Sequence, residues 1–353
     1  PDFIEKHSQH PYAKCGLDGI IDALAFFRNE LAGVQFSLYA NETDNHFHIT
    51  AIGTLKPTYL SPGSVFSPEI KAAFEKTPSI IIANVRGFRD FHPQLAAANL
   101  KKNLLFADCG ITCRDIDLPP EDMPPAGIHE MRSVDVARLF DKSSDLNTLA
   151  RRIVRPDENV DIVGIPAFLG IDRHPEILQE LQQITGSLIY EVPSLPPSIL
   201  GMRLDNALKS RFASLGGVFI AGETVDTGVI ENNRVVHIHT AHQDDCLRAR
   251  FYVLATGSFF SKGLTSGFEK MTEPVFDLNM MSSTPPEPLA APGFFSPASH
   301  NFLRAGVITD NRLHPRTTSG ETIDNLFCVG AVLADYNPVS EGSGSGVAIS
   351  TGF

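Results

Sequence analysis

The chain has 353 residues, 42% of them hydrophobic and 20% charged, with 27 Gly, 25 Pro and no Trp; this is the composition of a folded globular protein and excludes disordered and collagen-like chains. Twenty-nine basic residues against 41 acidic ones leave a net charge of −12, so the basic footprint of a nucleic-acid binder is missing and an anionic substrate needs a local basic pocket. The length suits two domains, no uninterrupted run of about 18 apolar residues offers a direct membrane span, and five scattered cysteines fit a reducing compartment better than a disulfide framework.

Residue 1 is a proline and the chain stops about two turns into an apolar helix that opens near residue 344; both ends of the natural chain are expected to lie outside this sequence. From 17 to 31, Leu17, Ile20, Ile21, Leu24, Phe27 and Leu31 follow the i, i+3, i+4, i+7 rhythm of an amphipathic helix, which Gly33 ends. Phe47, Ile49 and Ala51 then alternate with His46, His48 and Thr50, the pattern of a half-exposed strand with its histidines facing water.

The pattern changes from residue 79 onward. An unbroken apolar run at 79–85 and further β-branched runs near 110–116, at 160–165 and at 187–192 are separated by helical stretches at 93–103, 133–154 and 175–184, with a Pro-rich loop before 133. Such runs predict parallel strands buried on both faces. In open sheets of this kind ligands bind beyond the carboxyl ends of the strands, here Arg86-Gly87-Phe88-Arg89, Pro166-Ala167-Phe168-Leu169-Gly170 and Pro193-Ser194-Leu195-Pro196-Pro197.

A helix capped by Ser198 and stopped by Gly216-Gly217 follows. Three antiparallel strands are expected at 218–221, 224–230 and 234–240, the last two joined through Asn232 and Asn233, which tolerate positive φ. A strand at 250–254 then runs into Ala255-Thr256-Gly257. A buried strand ending in Thr-Gly lets the backbone turn sharply and approach a flat ligand. Asn325-Leu326-Phe327-Cys328-Val329-Gly330 is a second such strand, and Gly342-Ser343-Gly344-Ser345-Gly346 opens an apolar helix. Free N–H groups at a glycine-serine helix start suit an anion or a carbonyl oxygen.

Together with Gly306-Val307-Ile308-Thr309-Asp310, these motifs resemble, in order and type, the flavin-binding half of the two-dinucleotide-binding oxidoreductases, the superfamily of fumarate reductase flavoproteins. Nearly the whole chain resembles the B-subunit family of anaerobic glycerol-3-phosphate dehydrogenases. That likeness is carried by Ile52-Gly53-Thr54-Leu55, by the 166–170 motif, by Leu195-Pro196-Pro197-Ser198-Ile199-Leu200-Gly201-Met202-Arg203-Leu204, by the 254–261 stretch and by the terminal glycine run. The resemblance implies a flavin, FMN or alternatively FAD, held by Ala255, Thr256, Gly257, Gly330, Gly342, Ser343, Gly344, Ser345 and Gly346. It implies a small phosphorylated substrate, a flavoprotein A subunit, a membrane-bound iron-sulfur subunit through which the chain sits peripherally on the cytoplasmic side, and delivery of electrons to quinone. It leaves two roles open: the dehydrogenase itself, or an electron-relay or assembly subunit.

The superfamily's opening strand and G-x-G-x-x-G phosphate loop would lie before Pro1, outside this sequence, and where its members often place an Arg after Thr-Asp this chain has Leu313-His314-Pro315, with Arg312 and Arg316 nearby. Arg203 is the candidate for substrate or flavin contact, set against a structural ion pair. Arg86 and Arg89 are a possible phosphate clasp. Cys109 with Cys113, and His237, His239 and His242, lack the spacing of a metal site, so no metal is expected. The fold class expected is α/β: an incomplete FAD/NAD(P)-binding Rossmann-like flavoprotein domain at 1–68 and 193–353 with the antiparallel meander, and an inserted parallel α/β domain at 69–192.

Overall fold

The structure, a computed structural model, describes residues 1–41, 44–118, 131–142, 145–267, 270–281, 289–296 and 299–353. The Pro-rich loop expected before residue 133 lies outside the described residues. The chain divides into two units, Glu30–Val218 and Pro1–Asn29 with Phe219–Phe353.

In the first, the β-branched runs form one parallel sheet in the order Gly110–Ile116, Ser79–Val85, Ile162–Pro166, Leu188–Val192. Six of the seven residues of Ser79–Val85 and all five of Ile162–Pro166 are buried, as strands covered on both faces must be. Burying each Ile or Val contributes roughly 1.5–3 kcal/mol. The intervening helices Pro93–Leu100, Ser133–Lys142, Leu146–Ile153 and His174–Thr185 supply Leu100, Phe140, Leu149, Ile177 and Leu181 to the same core. Gly186, in the left-handed conformation at φ 68°, ends the last of them.

This unit is larger than the periodicity suggested. Segments 30–68 and 193–218, expected with the flavin domain, belong to it, because Ile49, Val65 and Ile199 insert into its core. Helix Ile199–Ser214 begins as anticipated, Ser198 Oγ accepting from the Gly201 N–H at 3.3 Å.

The strand order creates a switch point between Ser79–Val85 and Ile162–Pro166, where open sheets usually bind ligands. Here the crevice is packed with protein. Phe168, fully buried, meets Phe88 edge-on at 5.3 Å and stacks on Phe140 at 5.8 Å. Beyond it, the N–H groups of Ile171, Asp172 and Arg173 all donate to the Asp141 carboxylate at 2.9–3.2 Å. The expected ligand seat on the 166–170 loop is therefore occupied by the chain's own side chains.

Strand His46–Ile49 pairs with Leu55–Thr58 and buries Ile49 as expected, but His46 and Phe47 exchange the exposures the sequence alternation predicts. His46 is buried, stacked on Phe66 at 3.8 Å with Nε2 2.7 Å from Ser61 Oγ, while Phe47 is 55% exposed. The flat imidazole face packs like an aromatic ring, and burial pushes its pKa down to about 4.

The second unit holds a meander, Val225–Glu231, Arg234–Thr240 and Gln243–Leu247. Its first hairpin turns through Asn232 and Asn233 at φ 48° and 61°, as their tolerance of positive φ predicts. The expected strand at 218–221 does not form; Val218, Phe219 and Ile220 are exposed, and the third strand is instead the polar 243–247 segment. A parallel pair, Tyr252–Leu254 beside Leu326–Cys328, and helix Gly344–Gly352 surround a core of Leu254, Val307, Ile323, Leu326, Cys328 and Val347.

Candidate flavin site

The two Gly-terminated strands are neighbours. Leu254 pairs with Cys328, and the Val329 N–H donates to the Leu254 carbonyl at 3.1 Å, so Ala255-Thr256-Gly257 and Val329-Gly330 leave the sheet side by side. Both glycines are left-handed, Gly257 at φ 83° and Gly330 at φ 70°, a conformation that strains residues bearing a Cβ. The chain after Gly257 folds back so closely that a Cβ at Gly263 would stand 2.3 Å from the Gly257 carbonyl oxygen.

Helix Gly344–Gly352 docks on Gly330. The Gly330 N–H donates to Thr351 Oγ1 at 2.9 Å, and that hydroxyl donates onward to the Val347 carbonyl at 2.7 Å. A Cβ at Gly330 would lie 3.7 Å from Ala348 Cβ. Gly342 is left-handed with open space beside it, and Ser343, the residue before the helix, makes no side-chain cap to it. Those first N–H groups thus lack an internal side-chain acceptor. The 306–310 stretch joins the same framework: the Val307 N–H donates to the Val332 carbonyl at 2.8 Å, and Asp310 Oδ1 accepts from the N–H groups of Arg312 and His314 at 2.8 and 2.9 Å.

Sequence reading missed the residues that hold this framework from the N-terminal segment. His10 Nε2 lies 3.1 Å from Glu341 Oε2, Lys14 Nζ donates to both oxygens of Thr309 at 3.0 Å, and Cys15 Sγ is 3.4 Å from the Ser350 carbonyl oxygen. Tyr12 sits over Gly346, where a Cβ would come within 1.9 Å of its hydroxyl. Burial lowers the pKa of Lys14 and raises those of Tyr12 and Cys15. No motif signals these contacts, which span about 300 positions of sequence.

A flavin fits the chemistry of the residues present. Among the described residues, the hydroxyl of Thr256, within the first Gly-ending strand motif, is buried with no hydrogen-bond partner, as are those of Ser350 on the docked helix and Tyr336. Buried hydroxyls of this kind call for a polar partner. The space beside Gly342 and the uncapped helix start would admit the carbonyl edge of a flat heterocycle.

The remaining candidates make other contacts. Arg203 lies in the other unit and is buried. Its two Nη atoms donate to the Glu191 carboxylate at 2.6 and 3.0 Å, and Nε donates to the Gly170 carbonyl at 2.8 Å. Glu191 is fully buried and also takes Ser64 Oγ at 2.8 Å and the Leu169 N–H at 3.2 Å. Burial opposes its ionisation, but Arg203 and His174 outweigh it, and the carboxyl is held well below its ordinary range. Arg203 is thus engaged in a buried ion pair. It borders a cavity of about 510 Å³ lined also by Tyr39, Ser64, His174, Gln179 and Asn206.

Arg86 pairs with Asp117 at 2.6 Å on the surface, Arg89 is exposed, and Arg312 and Arg316 are exposed. His237 and His239 meet each other at 3.1 Å and His242 lies 3.7 Å from Glu223. Cys109 is buried and Cys113 half-buried. Among the described residues no three His, Cys, Asp or Glu side chains gather as a metal site.

Residues 3–347 match the family model of the FAD binding domain. The B subunit of the anaerobic glycerol-3-phosphate dehydrogenase of Aliivibrio fischeri is 36% identical across 99% of this chain and 80% of its own length. The B subunits of the same name from Vibrio vulnificus and Mannheimia succiniciproducens are 36% and 35% identical, across 98% and 99% of this chain and 79% and 81% of theirs. No solved structure matches.

Proposed function

Since the chain belongs to the FAD-binding domain family and, within it, to the family of anaerobic glycerol-3-phosphate dehydrogenase B subunits, we infer that it is the flavoprotein subunit of such a dehydrogenase. The observation that carries the reading is the adjacent pair of strand ends at Gly257 and Gly330, with the unpartnered Thr256 hydroxyl beside them and the helix at Gly344 docked on the second.

Oxidation of sn-glycerol 3-phosphate to dihydroxyacetone phosphate removes the C2 hydrogen with its electron pair and the hydroxyl proton. A bound flavin, FMN or FAD, would supply the two-electron acceptor. Ala255, Thr256, Gly257 and Gly330 would bring backbone and a hydroxyl against it, and the 342–346 turn would offer its N–H groups.

That the relatives carry the name of a B subunit points to further subunits, and we assign this chain a flavoprotein A subunit and a membrane-bound iron-sulfur subunit that passes electrons to quinone, placing it peripherally on the cytoplasmic face. No helix among the described residues is long and apolar enough to cross a membrane.

One observation favours the second role, an electron-relay or assembly subunit: the acid–base groups beside the glycine turn are already engaged, His10 through both ring nitrogens and Glu341 through both oxygens. The test is to isolate the protein with its flavin and add glycerol 3-phosphate without oxygen. Bleaching of the visible flavin band makes this chain the dehydrogenase. A flavin that stays oxidised until the A subunit is added makes it a relay, and a protein that takes up neither FMN nor FAD refutes the assignment.

A further inference from the structure

Glu341 ends the short helix Pro338–Glu341, immediately before the left-handed Gly342. Its carboxylate is shared between three donors. Oε1 accepts from the Asn337 N–H at 3.0 Å; Oε2 accepts from Ser343 Oγ at 2.8 Å and faces His10 Nε2 at 3.1 Å. Glu341 thus grips the glycine turn from both sides, Asn337 before it and Ser343 within it.

The orientation of His10 follows from its other nitrogen. Nδ1 receives the Tyr12 N–H at 3.0 Å, so it carries no proton, and the ring proton of the neutral imidazole is on Nε2, donated to Glu341. The ring is held in place by Phe3, Tyr12 and Tyr336, with centroids 5.0, 5.1 and 5.8 Å away, and is only 2% exposed. Burial, opposed by the pull of Glu341, keeps its pKa below the usual value, and the other charged groups facing it are His7 and Arg304. Tyr12 and Cys15, two and five residues further on, reach Gly346 and Ser350 of the glycine-opened helix itself.

We propose that His10 is a positioning residue for the flavin site: through Glu341 it sets the conformation of the 342–346 turn, so a side chain 331 positions away from Glu341 in sequence governs flavin affinity. The inference rests on the flavin assignment made above. His10 itself touches no flavin in this scheme; it acts through the carboxylate that holds Ser343.

The experiment titrates the purified protein with FMN and with FAD, following quenching of flavin fluorescence, and records the melting point of the flavin-free protein for each variant. His10→Ala is expected to weaken binding at least about tenfold, the order set by losing one hydrogen bond to a charged group. His10→Gln, whose amide nitrogen reaches where Nε2 stood, is expected to restore most of that affinity, and His10→Asn, which reaches only the Nδ1 position, to restore little. Ser343→Ala, on the turn side of Glu341, should weaken binding in the same direction even if His10→Ala proves too unstable to purify. Val235→Ala, in the core of the same unit, should lower the melting point with affinity unchanged.

Wild-type affinity in both His10→Ala and Ser343→Ala would overturn the proposal, as would a His10→Gln variant no tighter than His10→Ala or an equal loss in Val235→Ala. A wild-type protein that binds neither flavin would instead overturn the assignment on which the proposal rests.

Discussion

Replacing Arg203 by Met separates the two meanings an arginine in this run can have. The guanidinium makes three hydrogen bonds and two of them go to Glu191, a carboxylate with no exposed surface. Removing it leaves a buried charge with Ser64, the Leu169 N–H and His174, and deprives the Gly170 carbonyl of its side-chain donor. Breaking a buried pair from one side costs about 3–5 kcal/mol, because the surviving charge has already lost its water. The double variant Arg203→Met with Glu191→Gln should recover at least half of that loss. With no Trp in the chain, unfolding in urea is best followed by far-ultraviolet circular dichroism. The pH dependence has a definite sign. Glu191 has a depressed folded pKa, so its contribution is complete above the unfolded value of about 4.3 and is lost as pH falls toward the folded one. The gap between wild type and Arg203→Met should therefore narrow below about pH 4.3. A loss under about 1 kcal/mol accompanied by a collapse of flavin or substrate affinity would refute the argument, since it would put Arg203 in a binding site and not in a pair.

Three further outcomes are expected. Gly344→Leu should abolish flavin uptake, since its Cβ already stands 3.3 Å from Pro338 and the rest of the side chain must enter the space assigned to the ring; retained flavin absorbance would count against the site. Gly346→Ala should weaken flavin binding because the methyl meets the Tyr12 hydroxyl, and the added change Tyr12→Phe should relieve it; titration of both variants decides. Because folding depresses the pKa of His46 to about 4, its contribution is complete above about pH 6.5 and is lost as pH falls toward 4, so acid melting curves should show a fall of up to about 3 kcal/mol that His46→Phe removes.

The parts of the fold that were legible in sequence are those where local pattern and packing agree. Ile80, Ile81 and Ile82 in an unbroken run leave no exposed face, so a doubly covered parallel strand was the only economical reading. The meander differs by one strand because Val218, Phe219 and Ile220 look β-forming yet are exposed and form no strand among the described residues, whereas Gln243–Leu247 pairs through its backbone despite a polar sequence. The unit boundary moved for a related reason: single residues such as Ile49 and Ile199 decide where their segments pack, and single residues carry no period. Of the candidate site, the glycines were legible because positive φ restricts residue type. Its support was not, because the His10–Glu341 contact depends on the chain's tertiary path. A signal for the Arg203 pair was present all the same, in the one acidic residue, Glu191, of the strand Leu188–Val192.

The seat beyond the parallel sheet, where Asp141 receives three consecutive N–H groups and Phe168 plugs the crevice, has a consequence for how that unit responds to its surroundings. In a nucleotide-binding relative of this strand order such a loop gains its anion from solution, and its order rises and falls with occupancy. Here the anion is tethered. Its effective concentration is fixed by the fold, so the 170–173 loop draws its order from a carboxylate of the same chain and needs no anion from solution for it.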